Sequence, residues 1–123
     1  MSKTEVFAHR GASGYAPENT LEAFLLAIKQ GADGIELDVQ LSKDGVPVVI
    51  HDETVDRVTE EKGFVKDFTL QELKEMVVLR ERFAKYRDAR IPTLREVLDA
   101  VRPSGIAVNI ELKTGIYWYP EIE

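Results

Sequence analysis

Apolar residues recur along this chain in two periods. Three stretches carry them at the i, i+3, i+4 spacing of a helix with one apolar face: Leu21, Phe24, Leu25 and Ile28; Leu70, Leu73, Met76 and Val77; Leu94, Val97, Leu98 and Val101. Each opens on a capping residue with a glutamate three positions on, Asn19 with Glu22, Thr69 with Glu72 and Thr93 with Glu96. Gly31 stops the first, and Pro103-Ser104-Gly105 ends the last. The remaining apolar positions form short runs or alternate with polar ones, as strands do. The predicted order is strand at about 5–9, helix at 20–30, strand at 34–40, strand at 47–51, helices at 69–77 and 93–102, and strand at 106–112. This is an α/β chain of the kind that builds barrels.

One connection breaks the alternation. Only Ser42-Lys43-Asp44-Gly45 separates the second and third strands, whereas a parallel crossover needs about a dozen residues or more. Either the link returns in extended form outside the sheet or the two segments form a hairpin; both bring His51 towards Asp38. Four strands cannot close an eight-stranded barrel of roughly 250 residues. Tyr119-Pro120-Glu121-Ile122-Glu123 also reads as the start of another helix, so the expectation is the first half of a larger barrel.

Composition narrows the class. With 44% hydrophobic and 31% charged residues, the 123-residue chain has enough apolar content for a core and is not a disordered tail. It has no cysteine, which excludes disulfides and thiolate metal sites and fits a reducing cytoplasm. No apolar stretch is long enough for a membrane span, so the expected protein is soluble and cytoplasmic. A formal charge of -6 argues against a nucleic-acid partner, and the basic stretch from Arg80 to Arg90 is interrupted by Glu81 and Asp88.

The chemistry gathers where strands finish. His9 and His51 end two apolar runs, and two others end in Glu36-Leu37-Asp38 and Glu111-Leu112-Lys113. Strand alternation puts Glu36 and Asp38 on one face, opposite Ile35, Leu37 and Val39, and puts Asn109, Glu111 and Lys113 together on the last strand. A solvated polar face is the plain reading of either strand alone; its recurrence on two strands favours an inward-facing site. Three carboxylates in one confined volume repel each other unless a cation neutralises them. All-oxygen donors favour Mg²⁺ or Ca²⁺. Histidine is the usual proton carrier near neutral pH, so His9 and His51 are the candidate acid and base, against the alternative of hydrogen-bonded structural histidines. Arg10 and Lys113 add positive charge for an anionic oxygen, which points to a phosphate-bearing substrate, although Arg10 alone would equally make a salt bridge. The turn Gly11-Ala12-Ser13-Gly14, leading into a helix start, is suited to anions but lacks the spacing of a Walker loop or a dinucleotide fingerprint. Tyr117, Trp118 and Tyr119 are suited equally to a pocket wall or to core.

Taken together, His9-Arg10-Gly11, Pro17-Glu18-Asn19-Thr20, Gly34-Ile35-Glu36-Leu37-Asp38-Val39, Lys43-Asp44-Gly45, Val49-Ile50-His51-Asp52, Pro92-Thr93-Leu94 and Ile110-Glu111-Leu112-Lys113 resemble the glycerophosphodiester phosphodiesterase family in order and spacing over nearly the whole chain. The resemblance implies a TIM-type (β/α)8 barrel, of which residues 1–123 are the N-terminal half of one domain with four barrel strands. It implies hydrolysis of glycerophosphodiesters to an alcohol and sn-glycerol 3-phosphate. It further implies that Glu36, Asp38 and Glu111 bind a divalent metal, Mg²⁺ or Ca²⁺, that His9 and His51 are general acid and base, and that Arg10 and Lys113 contact the phosphate. The later strands of the family's barrel are absent from this stretch, which alone is expected to be poorly active or inactive. Two other readings stand beside this one. One is a related phospholipase-type enzyme acting on lipid head groups; the other is a non-catalytic half-barrel that self-associates through unpaired strand edges.

Overall fold

The computed structural model describes residues 7–11, 16–78 and 88–112. Its elements follow the order expected from the periodicity: β1 (Phe7–His9), α1 (Leu21–Lys29), β2 (Gly34–Leu41), β3 (Pro47–Val49), α2 (Leu70–Glu75), α3 (Leu94–Val101) and β4 (Ala107–Leu112). Two of the three helix starts are capping boxes, Thr69 with Glu72 and Thr93 with Glu96, each satisfying two otherwise orphaned backbone donors. The first start differs from expectation by one residue. Thr20, not Asn19, caps α1, its Oγ1 accepting from Ala23 N at 3.2 Å. Asn19 has φ +56, a left-handed conformation that asparagine tolerates better than most residues, and its side chain is turned elsewhere.

The four strands form one sheet. β1 runs parallel to β2, with His9 opposite Glu36, and β4 runs parallel to β2 from Gly34–Ala107 to Val39–Leu112. β3 is antiparallel to β2, pairing Val39 with Val49 and Leu41 with Pro47. Three of the four expected strands therefore run in the parallel sense of a barrel wall, and the short connection resolves as a hairpin. A compact turn makes this possible: Gly45 N donates to Ser42 O, Ser42 N donates to Val46 O, and Gly45 takes φ +79. Asp44 accepts from Ser42 Oγ at 2.5 Å and from Leu70 N at 3.0 Å, tying the turn to the start of α2.

Strand alternation feeds two cores. On one face of β2, Ile35, Leu37 and Val39 pack with Val49 against Phe24 and Ala27 of α1 and Leu94, Val97 and Val101 of α3. Leu25, expected on the apolar face of α1, is 47% exposed, because Phe24 and Ala27 occupy the helix side that meets the sheet. Val48 and Ile50, whose side chains alternate with that of Val49, enter a second core with Val55, Val65, Leu73, Met76, Val78, Ala89 and Ile91. The excursion between β3 and α3 thus has its own hydrophobic support, and it anchors the segment that carries His51.

Candidate active site

The site arises from how β2 shares one of its edges. Arg10 N donates to Glu36 O at 2.7 Å and Ile50 N donates to Asp38 O at 3.0 Å. Carbonyls two residues apart on a strand point to the same edge. β1 therefore ascends that edge as far as Glu36, β3 descends it as far as Asp38, and the two chains meet there. His9 and Arg10 leave one, Ile50 and His51 the other. β4 holds the opposite edge and sets Asn109 beside Glu36 and Glu111 beside Asp38, on the face away from the α1 and α3 core. His9 and the three carboxylates expected from the sequence thus share one face of the sheet, and His51 follows β3 near the same end.

Within that group, exposure differs. Asp38 is buried, Glu36 half-buried, and His9 and Glu111 are exposed. Asn19 Nδ2 donates to Asp38 Oδ2 at 3.1 Å, and Arg10 Nε lies 3.5 Å from the same oxygen. Asn19 N donates to Arg10 O at 2.9 Å, so the left-handed Asn19 is fastened by both backbone and side chain to the residues it serves. Among the described residues, Asn19 Oδ1 and Arg10 Nε are buried without a hydrogen-bond partner, one acceptor and one donor beside the Asp38 carboxylate. Among the described residues, no three His, Cys, Asp or Glu side chains stand close enough together to hold a metal ion as placed. Asn19 and Arg10 both engage the same Asp38 oxygen, Oδ2.

A chain of ion pairs borders the junction. Arg10 Nη1 is 3.4 Å from Glu18 Oε2; Glu18 receives two bonds from Arg57, at 2.7 and 2.8 Å; Arg57 donates two more to Asp52, at 2.9 and 3.1 Å; and Asp52 Oδ1 is 2.8 Å from His51 Nδ1. The bonds from Arg57, against some opposing burial and with help from His51, hold the Asp52 carboxyl at about 2. Burial acts to raise Glu18, yet its bonds and proximity to Arg57, together with Arg10, leave it below the usual carboxylate range. Sequence reading gave no role to Glu18, Asp52 or Arg57. Asp52 adjoins His51 and Glu18 adjoins Asn19, which is a local signal; Arg57 sits in an irregular segment and offers none. Gln40, from the same face of β2, donates to His51 O at 3.1 Å.

Some expected contributors lie outside the described residues: Lys113, the aromatic run 117–119, the turn residues 12–14 and most of the basic stretch 80–90. A cavity of about 460 Å³ lined by Pro47, Leu70, Leu94 and Leu98 opens at the far end of β3 from His51 and takes no part in the site.

The model of the glycerophosphoryl diester phosphodiesterase family matches residues 9–120, and the chain belongs to that family. It is 57% identical over 121 residues to a glycerophosphodiester phosphodiesterase of Caldanaerobacter subterraneus subsp. tengcongensis, covering 98% of this chain and 50% of the relative. It is 37% identical over 113 residues to human glycerophosphodiester phosphodiesterase 1, covering 90% of this chain and 34% of the relative. Among solved structures, it resembles an Oleispira antarctica phosphodiesterase in complex with the product sn-glycerol-3-phosphate, with TM-score 0.85 and 42% identity over 89% of this chain and 44% of that one. A glycerophosphodiester phosphodiesterase of Agrobacterium tumefaciens gives TM-score 0.84 and 43% identity, over 89% of this chain and 47% of that one. The fold is that of a TIM-type barrel, and the chain spans about half the length or less of the curated relatives it matches. No helix among the described residues is long and apolar enough to cross a membrane.

Proposed function

We propose that the intact protein hydrolyses glycerophosphodiesters to an alcohol and sn-glycerol 3-phosphate. The observation that supports this is the meeting of β1 and β3 on one edge of β2, where the chain leaves β1 at His9 and Arg10 and leaves β3 at Ile50 and His51, next to the strand that carries Glu36 and Asp38. The Oleispira antarctica relative, whose structure holds that product, supports the substrate class.

In this reading, one histidine takes the proton of the attacking hydroxyl and the other delivers a proton to the alkoxide that leaves phosphorus. The P–O bond that breaks is replaced by one to the attacking oxygen. If water attacks, the phosphomonoester forms directly. If the neighbouring glycerol hydroxyl attacks, a cyclic phosphate forms first and water opens it, which phosphorus NMR would detect. Arg10 and Lys113 hold phosphoryl oxygens by charge-assisted bonds. Glu36, Asp38 and Glu111 would hold a divalent cation, Mg²⁺ or Ca²⁺: the donor set is all oxygen, and the register of β2 with β4 pairs Glu111 with Asp38. When bound, such an ion supplies positive charge to the phosphoryl oxygens.

The test is coupled detection of glycerol 3-phosphate from glycerophosphocholine and glycerophosphoethanolamine, with Mg²⁺, Ca²⁺ or chelator, on the intact protein. Metal-dependent release supports the reading and names the ion. Hydrolysis of intact phospholipid alone would favour a lipid-acting enzyme. Silence on every substrate would favour a non-catalytic barrel, in which case sedimentation with and without metal tests self-association. The cytoplasmic location belongs to the same proposal, and fractionation of the source cell tests it.

A further inference from the structure

We infer that Arg57 is a positioning residue for His51, acting through Asp52 and braced by Glu18; the inference rests on the reading of His51 as an acid–base group.

One guanidinium serves two carboxylates. Arg57 presents Nε and Nη2 to Asp52, at 2.9 and 3.1 Å, and Nη1 and Nη2 to Glu18, at 2.7 and 2.8 Å. A planar fork that grips both oxygens of two partners fixes distance and also orientation, which a single point charge cannot do. The two partners come from different places in the fold. Glu18 precedes α1 in the connection that follows β1 and Arg10, and Asp52 follows His51 at the end of β3. Arg57 thus ties together the two segments that deliver the candidate acid and base.

The consequence for His51 follows from Asp52. An ionised carboxylate only accepts, so with Asp52 Oδ1 2.8 Å from Nδ1 the ring carries its proton on Nδ1 and keeps Nε2 for exchange with a substrate or water oxygen. Without Arg57, Asp52 retains its reach to His51 but loses the two bonds that aim it. Energetics separates positioning from mere support. The Arg57 side chain is 48% exposed, and ion pairs that exposed contribute little to folding. Working geometry in an active site, by contrast, tolerates only about half an ångström of drift. The doubly bidentate arrangement therefore matters to where His51 stands more than to whether the chain folds.

The experiment uses Arg57→Gln, Arg57→Lys and Asp52→Asn in the intact protein, with steady-state kinetics on glycerophosphocholine and ¹⁵N NMR of the His51 ring. The expected result is a fall in kcat of roughly 10- to 100-fold for each variant, with KM within about threefold and the melting temperature nearly unchanged. Lysine should not rescue, because it keeps the charge and loses the fork. The His51 ring, protonated on Nδ1 in the parent, should show a mixture of tautomers in the variants. The double variant Asp52→Asn with Arg57→Gln should be no slower than Asp52→Asn alone, because the two act as a unit. Parental kcat in Arg57→Lys, or a parental His51 ring spectrum in Arg57→Gln, overturns the inference. If the parent hydrolyses no glycerophosphodiester, the proposed function fails; the ring spectra need no substrate and still decide whether Arg57 orients His51. Should the glutamine variant fail to fold, the lysine variant carries the same test.

Discussion

Asn19 Nδ2 and Asp38 Oδ2 lie 3.1 Å apart, joining the residue that precedes the cap of α1 to a carboxylate in the middle of β2. Both residues are buried, so the bond is made where water cannot replace it. Asn19→Ala should lower the free energy of unfolding by about 2 kcal/mol, from loss of a bond to a buried carboxylate and the greater strain of alanine at φ +56. Asn19→Gly should cost less, because glycine adopts that backbone freely. Urea unfolding of the two variants checks the order; equal losses would show that the side-chain bond accounts for the whole effect.

Gly11 and Gly45 share φ +79 but not their surroundings. A Cβ at Gly11 would lie 2.7 Å from the backbone carbon of Ala23 in α1, whereas a Cβ at Gly45 would meet nothing within 4 Å. Gly45→Ala should cost about 1 kcal/mol, the conformational strain alone. Gly11→Ala should cost more by roughly 1–3 kcal/mol, since the helix backbone itself must shift. Thermal melts of both variants would reverse this ranking only if α1 moves freely away from the β1 connection.

Acid should weaken the fold by a small amount through Asp52, whose ion pair with the exposed Arg57 is screened by solvent. Its carboxyl is lowered from 3.8 to about 2 in the folded protein, chiefly by the bonds from Arg57, so the unfolded chain takes up that proton first as pH falls. The contribution is complete above about 4 and fades as pH approaches 2. In urea titrations stepped from pH 5 to pH 2, Asp52→Asn should lose less stability than the parent. Superimposed curves for the two proteins would mean that Asp52 carries none of the acid sensitivity. Glu18, also lowered, continues to contribute in both.

If the proposed function holds, His9→Ala and His51→Ala should each reduce kcat by roughly 10² to 10⁴. Imidazole added to the assay should restore part of the rate only where the missing group handled a proton. A histidine whose removal leaves kcat at the parental level holds structure instead.

Secondary structure was legible because it is set locally. Leu94, Val97 and Val101 mark one face of α3, Thr93 with Glu96 starts it, and Ile35, Leu37 and Val39 alternate with Glu36 and Asp38 as a half-buried strand must. The same alternation puts Glu36 with Asp38 on one strand and Glu111 with Asn109 on another, and the register of β2 with β4 brings the two sets side by side. The sense of β3 was not legible. A four-residue link permits a hairpin or an extended return, and the choice depends on β1 pairing only as far as Glu36, which leaves the rest of that β2 edge for β3. Nor was the true cap of α1: Asn19 and Thr20 both suit the position, and the asparagine turns inward to bond the buried Asp38 while Thr20 takes the helix. The bridge from Glu18 through Arg57 to Asp52 spans 39 residues of sequence at its longest step and is made of side chains with no periodic pattern. What the amino-acid order determined by itself was the kind and facing of each element, because burial and hydrogen bonding act between near neighbours. What only the tertiary structure decided was which strand ends meet and which charges pair across the gap, because those contacts join residues that no local rule connects.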